Sequence, residues 1–187
     1  MWRLGLLVLG GCYIQAGLGL GDSAATGTIT AGFIAHVGER VGVHGGGGAA
    51  GGSYSQDAGK HGGVFGFPID VGADVKILGA GANELVGVVG GMFLQGSHVR
   101  LTNSDTETPA AAFRGLAAVG YRRNILRHEA ANADGPERIA GAFTASVGAE
   151  LWYSKPDGGE SSTRVGPAFS LMLESRPWIF AEQLEEK

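Results

Sequence analysis

Residues 65–77 constrain the chain more than any other stretch. Every second position is apolar: Phe65, Phe67, Ile69, Val71, Ala73, Val75 and Ile77. The positions between are Gly66, Pro68, Asp70, Gly72, Asp74 and Lys76. A period of two places the first set on one face of a strand and the second set on the other. All three charges share one face. The alternation runs far beyond the roughly 5–6 residues of an ordinary strand, so the fold must give the two faces different surroundings over a long span.

The same pattern recurs along the chain. In residues 28–44, Ile29, Ala31, Phe33, Ala35, Val37, Val41 and Val43 share one parity, and the break at Ile34 and Glu39 predicts a bulge or strand end near Gly38. In residues 111–121 the apolar parity holds Phe113, Val119 and Tyr121, with Arg114 and Arg122 on the other. Residues 139–153 carry Ile139, Phe143, Val147, Leu151 and Tyr153 opposite Thr144, Ser146, Glu150 and Trp152. Residues 163–173 carry Val165, Phe169, Leu171 and Leu173 opposite Arg164 and Ser170, with Glu174 just beyond. Residues 84–101 are apolar with a blurred parity, so their faces are not assigned. Between these segments, residues 45–63 (GGGGAAGG, then SYSQDAGKHGG) read as a glycine-rich loop, 79–83 as a short turn, 102–109 and 154–162 as polar turns, and 127–137 as a polar connection. No segment has a helical period. Six strands are clear, and seven or eight result if 28–44 divides or residues 13–21 also count. The expected fold is all-β: an antiparallel up-and-down barrel of about eight strands, which removes unpaired edges.

Residues 1–25 read as a secretory signal peptide, with Arg3, an apolar run at 4–9 and small residues Ser23, Ala24 and Ala25 before Thr26. The barrel then spans 26–180 and a charged tail 181–187. Two features compete with that division. Leu9-Gly10-Gly11-Cys12 resembles a bacterial lipobox, which would put a lipid on Cys12; otherwise Cys12 leaves with the signal. Residues 13–21 also alternate, and Gln15 is out of place in a signal core.

Composition limits the alternatives. Of 187 residues, 35 are glycine and only 17% are charged, against about 25% in soluble domains. At 44% hydrophobic, the chain is not of disordered type. A net charge of −4 gives no footprint for nucleic acid. The single cysteine excludes an internal disulfide. No apolar run after residue 26 reaches the roughly 20 residues of a membrane helix, so any crossing must use strands.

The non-apolar parity decides which face is wet. A soluble barrel surface should be dense in Lys and Glu. Here it is mostly Gly, Ala, Ser and Thr, with charges of both signs: Asp70, Asp74, Lys76, Arg114, Arg122, Glu150, Arg164 and Glu174. Such a set suits a narrow, filled interior where ions pair. The lipid-facing set is then Phe65, Phe67, Ile69, Val71, Val75, Phe143, Val147, Leu151, Phe169 and Leu171. Aromatics near strand ends, Phe65, Phe67, Tyr121, Trp152, Tyr153, Trp178 and Phe180, fit an interfacial girdle, although Trp152 lies on the polar parity. By this pattern, over residues 28–180, the chain resembles small bacterial outer-membrane β-barrels of the eight-stranded type. It departs from them in that Phe180 is followed by seven more residues, whereas such barrels usually end on an aromatic.

The resemblance implies a location in the bacterial outer membrane, contact with membrane lipid, and a non-catalytic structural or surface-interaction role. No cofactor or nucleic acid is expected, and an envelope or extracellular protein is the expected partner. Loops 45–63, 102–109 and 155–162 are the expected contact surfaces; they share one side, facing outward if the amino end of Thr28 is periplasmic. Two rivals are weighed: a soluble or lipid-anchored periplasmic barrel carrying a small apolar ligand, with Phe67, Ile69, Val71, Phe143, Val147 and Phe169 inward, and a subunit of a larger envelope assembly.

No motif supports catalysis. His44-Gly45-Gly46-Gly47 resembles an esterase oxyanion loop, but no G-x-S-x-G elbow accompanies it. Gly19–Ala24 fits G-x-G-x-x-A without a βαβ unit. The five histidines, His36, His44, His61, His98 and His128, lack metal-ligand spacing, and His44 and His61 read as solvated loop residues.

Overall fold

The computed structural model describes residues 8–21, 24–37, 40–56, 60–101, 107–128, 137–156 and 161–175. They form eight strands: β1 (Val8–Gly21), β2 (Ala24–Val37), β3 (Val41–Gln56), β4 (Lys60–Ala80), β5 (Asn83–Leu101), β6 (Glu107–His128), β7 (Glu137–Pro156) and β8 (Ser162–Ser175). Each strand pairs antiparallel with its sequence neighbours, and β1 closes the ring on β8, Cys12 opposite Ser175 through Gly19 opposite Ala168. The fold is therefore an all-β, up-and-down, eight-stranded barrel.

The barrel begins earlier than the sequence pattern suggests. Residues 8–21, expected to be removed with a signal, form the strand that pairs both β2 and β8. The alternation of residues 13–21 is real strand alternation: Tyr13 and Gln15 face inward, and Ile14 and Leu18 face outward. An apolar leader and a barrel strand with an apolar outer face look alike when most inner positions are glycine, as Gly11, Gly17 and Gly19 are here. Cys12 sits inside β1 with its side chain outward. Trp178, Phe180 and the 181–187 tail lie outside the described residues.

Residues 28–44 divide. A turn at Arg40 separates β2 from β3, and the Lys76 amide of β4 donates to the Arg40 carbonyl at 2.7 Å. The two-residue turn between β4 and β5 has Gly81 at φ 63°, a backbone setting that glycine takes without steric cost.

The expected loop at 45–63 is mostly strand. Gly45 to Ser53 pair with β2, and Gly45, Gly46 and Gly47 also pair with β4. Glycine weakens a free strand, but it permits backbones to approach where a barrel turns a corner. A Cβ on Gly46 would lie 2.8 Å from the Gly32 Cα, and one on Gly48 would lie 2.8 Å from the Thr30 Cα. The glycine run is what lets β2 and β3 close upon each other.

The blurred parity of residues 84–101 also resolves. Val86, Val88, Met92 and Leu94 are buried inside, while Leu85, Val89 and Phe93 are exposed outside. Both faces of β5 are apolar here, so alternation could not mark them. Bulges shift its pairing between Phe65 and Phe67 on β4 and between Leu94 and Ser97.

The β1–β2, β3–β4, β5–β6 and β7–β8 connections share one end of the barrel, called here the hairpin end. The end of β3, the start of β6 and the end of β7, inside the predicted contact segments 45–63, 102–109 and 155–162, lie at this end, but residues 45–53 run back along the wall as strand. Because β2 runs away from it, the amino side of Thr28 lies at the same end as those connections. Reading residues 28–44 as one strand had put it at the opposite end.

Candidate functional site: the ion-paired interior and the apolar outer face

Outside, the barrel is apolar. Among the described residues, twenty-eight large hydrophobic ones are exposed, drawn from all eight strands. They include the ten expected ones: Phe65, Phe67, Ile69, Val71, Val75, Phe143, Val147, Leu151, Phe169 and Leu171, from 40% exposed at Leu151 to 72% at Phe67. Among the strand residues whose side chains are described, the charged ones that face outward are Arg123 and Lys155, one towards each end. Lys155 pairs with Ala111 on β6, so residues 112–122 of β6, eleven positions, separate the two levels. A tilted strand needs about 9–11 residues to cross a bilayer core. A water-soluble monomer rarely exposes an apolar patch beyond a few hundred Å²; this face continues round the whole ring.

Inside, seven of the eight predicted charged residues are enclosed: Asp70, Asp74, Arg114, Arg122, Glu150 and Glu174 are buried, and Lys76 is mostly so. Arg164 is half-buried nearer the hairpin end, and its Nη1 donates to the Ser53 carbonyl at 3.4 Å. The structure gathers these groups into three sets.

Nearest the hairpin end, Arg114 Nε donates to Glu150 Oε2 at 2.6 Å, and the other carboxylate oxygen accepts from Thr26 Oγ1 at 2.5 Å. Arg114 Nη1 reaches Thr28 Oγ1 at 3.4 Å. These contacts tie β6, β7 and β2 across the interior. Halfway along, the Tyr13 hydroxyl bonds both oxygens of Asp70 at 2.9 and 2.8 Å, and the Tyr13 ring lies 5.0 Å from the ring of His44. Towards the other end, Arg122 Nη2 donates to Asp74 Oδ2, its Nε donates to Thr144 Oγ1 at 3.2 Å, and Glu84 lies between Lys76 Nζ at 3.3 Å and Arg122 Nη1 at 3.9 Å. His36 Nε2 is 3.5 Å from Glu174 Oε2. In a low-dielectric interior an unpaired ion costs several kcal/mol, so neighbours of opposite sign are required rather than ornamental.

Inward glycines make the room. A Cβ on Gly17 would lie 3.2 Å from Arg114 Nη1, and one on Gly42 3.0 Å from the Asp74 carboxylate carbon. A Cβ on Gly72 would meet His44 Cε1 at 2.6 Å. Arg114, Asp74 and His44 thus each pack against a position without a side chain.

Sequence reasoning missed Glu84, Tyr13, Gln15, His36 and His44. Glu84 stood in the strand whose parity was blurred; Tyr13 and Gln15 stood in the supposed leader. His44, expected in a solvated loop, is buried on the inner face of β3, and His36 is buried on β2. The side chains of His61, His98 and His128 lie outside the described residues. Trp152 is buried facing inward, as its parity requires, and so takes no part in an outer aromatic girdle; Tyr121 is exposed. Among the described residues, no group of three His, Cys, Asp or Glu side chains is placed to hold a metal.

No protein-family model matches the chain, and no curated protein matches it.

Proposed function

We propose that the chain is a membrane-embedded barrel of the bacterial outer membrane, with a non-catalytic structural or surface-interaction role. One observation carries this reading: the continuous apolar belt faces out while paired ions face in. A membrane barrel needs that arrangement and a soluble carrier needs its reverse. The six residues that a soluble carrier would turn towards its ligand, Phe67, Ile69, Val71, Phe143, Val147 and Phe169, are all exposed outside. The interior is occupied by side chains from every strand, so passage of large solutes does not fit it. Partner contact then falls to the hairpin end, where β3, β5 and β7 finish and β4, β6 and β8 begin, within or beside the segments 45–63, 102–109 and 155–162.

Fractionation of expressing cells tests this. The protein should require detergent for release, and its unboiled band should migrate differently from its boiled band. Release into the soluble periplasmic fraction without detergent would overturn the reading.

A further inference from the structure

Between the first and second ionic sets is a partly open cavity of about 30 Å³, whose lining includes Gln15, His44, Asp70, Val88, Met92 and Arg114 from the inner face. Its polar lining is incompletely bonded. Arg114 is 4% exposed and His44 5% exposed, yet Arg114 Nη2 and His44 Nδ1 have no hydrogen-bond partner. Both oxygens of buried Asp70 share the one Tyr13 hydroxyl. Buried groups of this kind are seldom left unmatched, because each costs about 1–3 kcal/mol or more.

The lining selects the kind of molecule that fits. A bare anion would suit Arg114 but meet the Asp70 carboxylate. A bare cation would suit Asp70 but meet the guanidinium. A molecule that both accepts and donates suits both. The space exceeds the roughly 10–15 Å³ that a cavity needs to hold a water, and its lining offers the two to four polar partners a buried water needs. We propose that this cavity is a structural water site. The water accepts from Arg114 Nη2 and donates to Asp70 and to His44 Nδ1. It thereby joins the Thr26–Glu150–Arg114 set to the Tyr13–Asp70–His44 set in one polar network along the barrel. The proposal concerns the interior alone and stands whether the outer face meets lipid or protein.

The test uses the full chain, isotope-labelled and folded in detergent micelles, and reads water-selective cross-relaxation at the Arg114 guanidinium. A direct cross-peak from a long-lived water is expected. It should persist in Thr28→Val, which removes a nearby exchanging hydroxyl able to relay magnetisation. Val88→Ile adds one carbon to the cavity wall. It should abolish the cross-peak and lower the unfolding midpoint, because displacing the water strands Arg114 and His44. No cross-peak in the unsubstituted protein would overturn the proposal, as would its loss in Thr28→Val. A raised midpoint in Val88→Ile would also overturn it, since filling a dry void stabilises. Should Val88→Ile fail to fold, the cross-peak in the unsubstituted protein and in Thr28→Val decides.

Discussion

The Tyr13 hydroxyl on β1 donates to both carboxylate oxygens of Asp70 on β4, at 2.9 and 2.8 Å, across the centre of the barrel. The residues are 57 positions apart in sequence, and both are almost wholly buried. The bond makes β1, the strand that closes the ring, also a prop for the far wall. Tyr13→Phe keeps the ring and removes the donor, leaving a buried carboxylate without it. The expected loss is about 1–3 kcal/mol in denaturant unfolding from micelles. Asp70→Asn should reduce the penalty of Tyr13→Phe in a double-mutant cycle; additive losses would show that the two groups do not interact.

Removal of residues 1–25 should prevent closure. The deletion takes away β1 and exposes the edges of β2 and β8, which pair with it over Val8 to Gly21 and Cys12 to Gly19. The truncated chain should refold poorly and give no heat-shifted band. A truncated chain with the gel behaviour and unfolding midpoint of the longer one would show that β1 is dispensable.

Breaking the Arg114–Glu150 pair should be costly in either direction. Both groups are buried and joined at 2.6 Å, and stranding one charge of such a pair typically costs about 3–5 kcal/mol. Arg114→Met and Glu150→Gln should each lower the unfolding midpoint strongly. The double variant should recover part of the loss, because no buried charge is then stranded. A double variant as unstable as the sum of the singles would argue against direct pairing.

Adjacent glycines of β3 should respond differently to the same change. Gly46→Ala places a methyl 2.8 Å from the Gly32 Cα, and backbone there cannot yield cheaply. Gly45→Ala points outward, and its nearest neighbours, the Asp70 carbonyl oxygen and Val71 Cγ1, lie at 3.6 and 3.7 Å. Folding yield should fall with the first and stay near that of the unsubstituted protein with the second. Equal yields would remove the corner explanation for the glycine run.

These same residues show what the sequence could and could not reveal. Alternation was plain in β4 and β7 because their inner positions are small or charged while their outer ones are large and apolar. It failed in β5, where Val86, Val88, Met92 and Leu94 fill the interior and match the outer face in polarity. It failed in β3 because glycine carries no side chain to report a face, and its corner role depends on a neighbouring backbone. It was ambiguous in β1 because a leader and a strand share an apolar signature; Gln15 was the dissenting residue. The charges of the interior were legible by parity, but their partners were not. Which ion meets which depends on register and on closure, as the reach of Thr26 to Glu150 shows.

The most direct test of the central claim uses Cys12, the chain's single cysteine, exposed on the outer face of β1. A fluorophore on Cys12 is followed after reconstitution into vesicles, with quenching by bromine on the lipid acyl chains compared with quenching by aqueous iodide. A lipid-facing belt should give strong quenching by the brominated lipid and little by iodide. Efficient iodide quenching would mean that the apolar face meets water, and protection from both quenchers would mean that it meets protein; either result contradicts a lipid-facing barrel.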